Sequence, residues 1–137
     1  RPKVRFFEGS EGIRSMRGDL ANNKSKKILS FVNYQKLMEY SSEDAVKYMK
    51  DRIEQGVEVD VIYTSKDGPS DLMGRADQLR RAKFIPHSEF PLKADMSIYE
   101  NKVVIEGYKD KLIGIIIESQ EIAESMRTIF ENLWKRL

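Results

Sequence analysis

Few side chains in this 137-residue chain are suited to catalysis or to metal binding. His87 is the only imidazole, and Pro86 and Pro91 flank it, so a Ser–His pair would have to be built on an irregular segment. The absence of cysteine excludes disulfides and thiolate zinc sites. A carboxylate site for Mg²⁺ or Ca²⁺ remains open, but no calcium-binding loop of the EF-hand type is present. We therefore predict neither a metal site nor a cofactor.

Glycine motifs and carboxylate pairs offer no better basis for catalysis. The chain lacks G-x-G-x-x-G, G-x-x-x-x-G-K-S/T and G-x-S-x-G. Gly9 and Gly12 precede a helix and could hold an anion at its N-terminus. The neighbouring Glu8 and Glu11 would repel a phosphate, which favours a turn-forming role for the two glycines. No spacing selects two acids for a paired-carboxylate mechanism, so we predict no catalytic residues and a domain that is not an enzyme.

Composition and charge indicate a globular domain with no nucleic-acid-binding face of its own. The 24 basic and 22 acidic residues interleave and leave a net charge of +2. Two small basic clusters are interpreted as solvated faces, namely Lys24, Lys26 and Lys27, and then Arg75, Arg80, Arg81 and Lys83. Apolar residues make up 40% of the chain, and no stretch approaches the roughly 20 apolar residues that span a bilayer. We expect one domain over residues 1–137, without membrane contact and in the cytoplasm, which the absence of cysteine fits.

Residues 4–64 alternate between strand and helix patterns. Strands are predicted at 4–7, 27–34 and 57–64. The first helix is predicted to begin after an N-cap at Ser10 and to end before Asn22-Asn23. The second is predicted to begin at a capping box formed by Ser41 and Asp44 and to end at Gly56. Because strands joined by crossover helices pair in parallel, this half of the chain predicts parallel pairs.

An irregular connection, an antiparallel meander and a helix are predicted for the rest of the chain. Residues 65–91 are broken by prolines, with one short helix expected at 71–81. Strands are predicted at 94–100, 102–107 and 112–118. A final helix capped by Ser119 carries the strongest apolar period, and its aromatic end, Phe130 with Trp134, is interpreted as core. The predicted fold class is α/β, with a mixed β-sheet flanked by helices.

Both ends of the chain resemble motifs of a known family. Residues 4–13 (VRFFEGSEGI) are similar to a "yeG-x-eGI" start, and residues 114–118 (GIIIE), followed by Ile122-Ala123, Phe130 and Leu133-Trp134, are similar to a "giiI…ia…Fe-lW" close. Those two motifs belong to the C-terminal domain of TrmB-like transcriptional regulators. The strand and helix order between them also fits, so the resemblance covers essentially the whole chain.

This resemblance implies a fold, a setting and a set of partners. The fold would be one half of the phospholipase D fold, and a winged helix-turn-helix would precede it in the same protein. The chain would then be an excised effector-binding domain that begins in mid-protein. Its partners would be a small-molecule effector, which is a sugar in the best-known members, a second copy in a homodimer, and DNA only through the missing N-terminal module.

The same resemblance provides a test for phosphodiesterase chemistry. Phospholipase D enzymes use H-x-K-x-x-x-x-D, in which the histidine attacks phosphorus and the lysine stabilises the phosphoryl oxygens. Aligned on His87, the motif has Glu89 where the lysine should be. Aligned on the following strand, it begins at Asp95, with Ser97 in place of the lysine and Lys102 in place of the acid. A phosphodiesterase with a reorganised site is therefore the least favoured function.

A ligand is expected at the carboxyl edge of the sheet, where open α/β sheets bind ligands. The candidates after the first three strands are Phe7, Glu8, Asn33, Tyr34, Thr64 and Ser65, and the resemblance adds Asp95 and Ser97 at the positions of the enzymes' reactive residues. Rings beside hydroxyl, amide and carboxylate groups suit a sugar-like polar metabolite. The alternative is structural, with Phe7 in the core, turn hydrogen bonds from Asn33 and Ser65, and Tyr34 packed at a helix start. An effector-sensing domain of a transcriptional regulator is the leading hypothesis, ahead of a dimerisation module whose pocket is closed by side chains.

Overall fold

One seven-stranded sheet organises the chain in the computed structural model, which describes residues 2–137 apart from the side chains of residues 41 and 42. In chain order the strands are β1 (Lys3–Glu8), β2 (Lys27–Asn33), β3 (Glu58–Thr64), β4 (Arg80–Phe84), β5 (Ala94–Tyr99), β6 (Lys102–Gly107) and β7 (Ile113–Glu118). The α-helices are α1 (Gly9–Ala21), α2 (Tyr34–Glu54) and α3 (Gln120–Lys135). Across the sheet the order is β1-β7-β6-β5-β2-β3-β4, with β2, β3 and β4 parallel and the other pairs antiparallel. The predicted α/β class, a mixed sheet flanked by helices, is confirmed.

The turn from β1 into α1 depends on Gly9. This residue has a φ of 68°, which L side chains rarely adopt, and its N–H donates to the Leu112 carbonyl at 3.0 Å. The helix therefore starts at Gly9, directly after the strand, and the predicted N-cap at Ser10 is wrong because that residue already lies inside the first turn. The predicted end is confirmed, since Asn22 follows the last helical residue and its side chain donates to the Gly18 carbonyl at 2.8 Å.

Helix α2 begins earlier than predicted. Asn33 caps it, because its side-chain oxygen accepts from the Lys36 N–H at 3.1 Å, and this satisfies a first-turn amide well before residue 41. A helix start at the Ser41 capping box is therefore wrong, and the side chain of Ser41 lies outside the described residues. The predicted end at Gly56 is confirmed by its φ of 70°.

Strand β4 replaces the helix predicted at 71–81. Only a 3₁₀ turn at Ala76–Gln78 forms there, and Arg80–Phe84 then pairs in parallel with β3. The strand escapes a periodicity search because it is an edge strand whose long basic side chains cover apolar surface. Arg81 and Lys83 lie 5.5 and 4.5 Å from the centre of the Trp134 ring, and this ring is a partner that no local pattern reveals.

Strand β1 lies at the far edge of the sheet from the parallel strands. It pairs with β7 alone and in the antiparallel direction, so the predicted parallel pairing of the first strand is wrong. The physical reason is that β7 continues the β5–β6 meander and offers a row of isoleucines, with Ile115 opposite Phe6 and Ile117 opposite Val4. The end of β1 is therefore separated from the end of β2 by three strands.

The helices bury opposite faces of the sheet. Helices α1 and α2 cover one face, where Ile13, Met16 and Leu20 pack on the strands. Helix α3 covers the other face. The predicted cap at Ser119 is confirmed, since its hydroxyl accepts from the Ile122 N–H at 3.3 Å, and Phe130 is buried against Phe31 as core. None of the described helices combines the length and apolarity that crossing a membrane requires.

Close packing of α1 on β7 predicts the effect of a substitution at Gly114. A β-carbon there would collide with the Met16 sulfur and lie 3.1 Å from Ile13 Cδ1, and both side chains are fully buried. We expect Gly114→Val to lower the free energy of unfolding by about 1–3 kcal/mol in urea denaturation. Gly18→Ala is the control, because no atom beyond its own helix backbone and its chain neighbours lies within 4 Å of the added carbon, and it should be neutral or stabilising by up to about 1 kcal/mol. Equal stabilities for the two variants would contradict this packing.

Candidate functional site

A cavity of about 260 Å³ lies between α2 and the sheet strands beneath it. Most of its lining is apolar and consists of Leu20, Val32, Leu37, Met38, Ala45, Val46, Met49, Val59, Val61, Leu72 and Met73. Met38, Val46 and Leu72 are also among the exposed large apolar side chains of the molecule, so the cavity opens to solvent where they lie. An open, mostly apolar cavity with a few convergent polar groups is the usual form of a small-molecule site.

A buried ion pair forms one part of the cavity wall. Arg17 on α1 binds Glu106 on β6 through two contacts, Nε to Oε1 at 3.3 Å and Nη2 to Oε2 at 2.9 Å. Both side chains are largely shielded from water. Burial lowers the pKa of the Arg17 guanidinium, but the attraction of the Glu106 carboxylate outweighs this effect and raises the pKa overall. The pair therefore stays charged and joins α1 to the sheet.

Tyr108 connects this ion pair to a second carboxyl group. Its hydroxyl lies 2.7 Å from Asp95 Oδ2 and 2.8 Å from Glu106 Oε2. A phenol carries one proton, so Tyr108 can donate to only one of the two carboxyl groups. Because Glu106 is the ion-pair partner of Arg17, Tyr108 donates to Glu106, and the second contact becomes a hydrogen bond when Asp95 is protonated and donates to Tyr108. The three groups therefore hold one more proton than they would if Asp95 and Glu106 were both ionised.

Asp95 is buried where its charged form is disfavoured. Burial raises the pKa of Asp95 to about 7, and the charge of Glu106 adds to this rise. The backbone N–H of Asn33 donates to Asp95 Oδ1 at 2.8 Å, but this bond does not offset the burial. Asp95 is accordingly a neutral acid below pH 7, in agreement with the shared proton at Tyr108.

Two hydroxyl groups extend the polar floor next to Asp95. Ser30 and Ser97 are opposite residues of β2 and β5, and their Oγ atoms lie 2.8 Å apart. Both side chains line the cavity, as does Asp95, because residues 95 and 97 face the same side of β5. The floor can therefore offer hydroxyl donors and acceptors to a ligand.

Two further arginines line the cavity. Arg52 on α2 donates to the carbonyls of Val57 and Gln78, both at 2.7 Å. Arg80 on β4 donates through Nη2 to the Leu72 carbonyl at 2.5 Å and to Gln78 Oε1 at 2.6 Å. The partners of both guanidiniums are neutral oxygens.

The predicted ligand residues separate into those that reach the cavity and those that do not. Tyr34, Asp95 and Ser97 line it. Asn33 supports it from outside by capping α2, by donating to Asp95 through its backbone, and by donating through Nδ2 to the Leu92 carbonyl at 2.9 Å. This cavity lies on the sheet face beneath α2, whereas the prediction placed a ligand at the carboxyl edge of the sheet.

The other predicted residues lie elsewhere. Phe7 packs against the core under α1, and Glu8 pairs with Lys111 on the surface at 3.2 Å. Thr64 is fully buried. Ser65 accepts from the Asp67 N–H at 3.1 Å, which is the turn hydrogen bond of the structural alternative. Ser65 also lines a separate, shallower pocket of about 540 Å³ together with Tyr34.

Sequence reasoning did not identify most of the charged and hydroxyl side chains of the cavity, which are Arg17, Ser30, Tyr48, Arg52, Arg80 and Glu106. Signals for two of them were present. Glu106 directly follows three apolar residues of its strand, and Arg17 follows Ile13 by four residues on the apolar face of α1. Interpretation of Arg80 as part of a solvated face is wrong, since its guanidinium turns inward and reaches carbonyls of the 65–79 connection.

The positions of the phosphodiesterase motif do not come together. Asp95 and Ser97 line the cavity, whereas Lys102 pairs with Asp19 at 3.1 Å at the other end of the β5–β6 hairpin. His87 lies in the turn between β4 and β5 and lines neither the main cavity nor the Ser65 pocket. Among the residues with described side chains, no group of three histidine or acidic residues could hold a metal ion.

Comparison with known proteins identifies a fold and no sequence family. No family model and no curated protein matches the sequence. Two solved structures match the fold with a TM-score of 0.64 each, over 98% of this chain: TrmBL2, an archaeal chromatin protein with a novel mode of DNA binding, at 14% identity, and NucT from Helicobacter pylori, at 10% identity. The chain spans 53% of TrmBL2 and 97% of NucT. At these identities the likeness concerns the fold alone, and this chain has a phospholipase D-like α/β fold.

Proposed function

We propose that this chain is a non-catalytic effector-sensing domain of a transcriptional regulator, and that it binds a small molecule in the cavity beneath α2. The observation that carries the proposal is the combination of an open apolar cavity with a buried, hydrogen-bonded polar floor. Such a floor stabilises the fold no better than an apolar one would, which favours a role in recognition. The fold likeness to TrmBL2 supports the setting in a regulator.

The lining chemistry favours binding over catalysis. Its described side chains include no histidine and no lysine, so the nucleophile and the cation of the phospholipase D mechanism are both missing from the cavity. Its arginines are held by Glu106 or by carbonyl groups, an arrangement that favours fixed recognition of a ligand.

The position of the cavity provides a means of signalling. Its walls come from α1, α2, the sheet and the 65–79 connection, so a ligand would bridge elements that otherwise contact each other only in part. A molecule that binds one arrangement of α2 better than another shifts the population toward it. In the proposed regulator, this shift would pass to a partner copy in a homodimer and to a DNA-binding module at the N-terminus.

A screen with a cavity-filling variant tests the proposal. We expect at least one compound from a set of sugars, polar metabolites and amphipathic acids to raise the melting temperature of the wild type, because binding to the folded state alone stabilises it. Ala45→Trp fills the cavity from α2 and should abolish the shift, whereas Ser15→Trp on the exposed side of α1 should leave it unchanged. The proposal would be contradicted if a compound raised the melting temperature of Ala45→Trp as much as that of the wild type. It would also be contradicted if no compound raised the melting temperature of the wild type.

A further inference from the structure

Arg52 is a buried cation with neutral partners. Its side chain is 1% exposed, and all of its described hydrogen bonds go to the carbonyls of Val57, Gln78 and Leu79. Carbonyl groups satisfy the N–H donors of a guanidinium but leave its charge uncompensated. Fully buried arginines are rare unless an anion pairs with them.

Arg80, which is half-buried, adds a second guanidinium with neutral partners, and both arginines contact Gln78. Its Nε donates to the Met73 carbonyl, and its Nη2 donates to Leu72 and Gln78. No carboxylate of the described side chains forms an ion pair with Arg52 or Arg80. Burial lowers the pKa of both guanidiniums, and the charge of Arg80 lowers the pKa of Arg52 further. The two cations therefore destabilise each other in the absence of an anion.

The rest of the cavity does not compensate this charge. Glu106 is already engaged with Arg17, and Asp95 is a neutral acid below pH 7. Three guanidiniums and one carboxylate thus line a mostly apolar space. A cavity of this kind attracts a ligand that carries negative charge.

The apolar walls define the other part of the ligand. Valines on β3 and leucines and methionines from α2 and the 65–79 connection surround the space beside the arginines. Met38, Met49 and Met73 are flexible and polarizable side chains that adapt to the shape of an apolar molecule. The hydroxyl groups of a sugar would contact these apolar walls and find no hydrogen-bond partners there.

We infer that the ligand is an amphipathic carboxylate, with its carboxylate between Arg52 and Arg80 and its apolar chain or ring against the α2 wall. This inference rests on the proposed function of the cavity and names the ligand class. Nη1 of Arg80 donates to no described residue and is available to a carboxylate oxygen. A phosphate head is less well matched, because most donors of the two arginines already bind protein carbonyls.

Decanoate and 1-decanol, which share one alkyl chain and differ in charge, test the inference by calorimetry. We expect decanoate to bind the wild type at least about tenfold more tightly than 1-decanol, as expected for a charged hydrogen bond. Arg80→Gln should remove this difference, and Arg80→Lys should keep part of it. Arg81→Gln is the matched control, because Arg81 is the next residue of β4 but lies on the opposite face with Asp60, and it should bind decanoate like the wild type.

The outcomes separate this inference from the proposal on which it rests. Equal binding of decanoate and 1-decanol, lost in Ala45→Trp, would overturn the carboxylate and leave the effector site standing. Binding of glucose alone with the same loss in Ala45→Trp would overturn the ligand class in the same way. Binding of decanoate that Ala45→Trp leaves unchanged would overturn both. The inference would also be overturned if Arg81→Gln abolished the preference for decanoate and Arg80→Gln preserved it. The anion would then bind on the other face of the sheet, beside Arg81.

Discussion

Glu106→Gln is expected to lower the free energy of unfolding by about 3–5 kcal/mol, because it breaks a buried ion pair. The substitution keeps the shape of the side chain but leaves the Arg17 guanidinium buried beside a neutral amide. It also changes the partner of Tyr108 and so disturbs the link to Asp95. Urea denaturation followed by circular dichroism measures the loss, with the slope of the transition checked for two-state behaviour.

An exposed ion pair provides the control for Glu106. Lys47 and Asp51 are one helical turn apart on α2, with their charged atoms at 2.8 Å and both side chains exposed. Asp51→Asn should lower stability by only about 0.3–0.5 kcal/mol, because water screens such pairs. A loss in Glu106→Gln no larger than in Asp51→Asn would contradict the buried ion pair. Adding Arg17→Met to Glu106→Gln should recover part of the stability, since it removes the uncompensated charge.

Asp95→Asn is expected to change how stability depends on pH. The pKa of Asp95 in the folded state, about 7, lies above the ordinary aspartate value, so the folded protein holds a proton that the unfolded chain has already released. Stability contributed by this proton is present at low pH and is lost as the pH rises toward and through 7. Between about pH 5 and pH 8 the wild type should lose on the order of 2 kcal/mol that Asp95→Asn does not lose.

The neutral amide of the variant imitates the protonated acid. Its oxygen can accept from the Asn33 N–H and its nitrogen can donate to Tyr108, which remains free to donate to Glu106. The charged groups that act on Asp95 are Glu106 from β6 and Arg17 from α1. Urea denaturation of both proteins at several pH values gives the comparison. Parallel pH profiles would contradict the shared proton.

Asp60 provides a control, because its pKa is shifted in the direction opposite to that of Asp95. Burial raises the pKa of Asp60, but hydrogen bonds from Arg81 and Lys27 outweigh it and hold the pKa below the ordinary value. Its contribution is lost only as the pH falls toward and below that ordinary value. Asp60→Asn should therefore differ from the wild type by a constant amount between about pH 5 and pH 8.

Elements with a complete local pattern were predictable. Helix α3 has both a cap at Ser119 and an apolar stripe, and the β5–β7 meander has short hairpin connections, so neighbours in sequence determine their structure. Strand β4 was not predictable, because Arg81 and Lys83 look like surface residues until Asp60 and Trp134 are placed beside them.

The candidate site was predictable only in part. Asp95 and Ser97 could be selected because the family resemblance places them at the positions of the phospholipase D motif, on one side of a predicted strand. Nothing local connects Arg17 to Glu106, which is 89 residues away, or Arg52 to the carbonyl of Gln78. The uncompensated arginines could not be recognised, since burial and the absence of an acid partner are properties of the packed chain.

The amino-acid sequence alone determined the α/β class, the apolar faces of the helices and the lack of a histidine–lysine pair at the motif positions, because residue types and short periods carry this information. Tertiary structure decided where β1 and β4 join the sheet and which polar side chains meet beneath α2. Those outcomes depend on contacts between segments that are distant in sequence. Charged side chains become buried, and an unpaired charge becomes costly, only when these segments pack and exclude water.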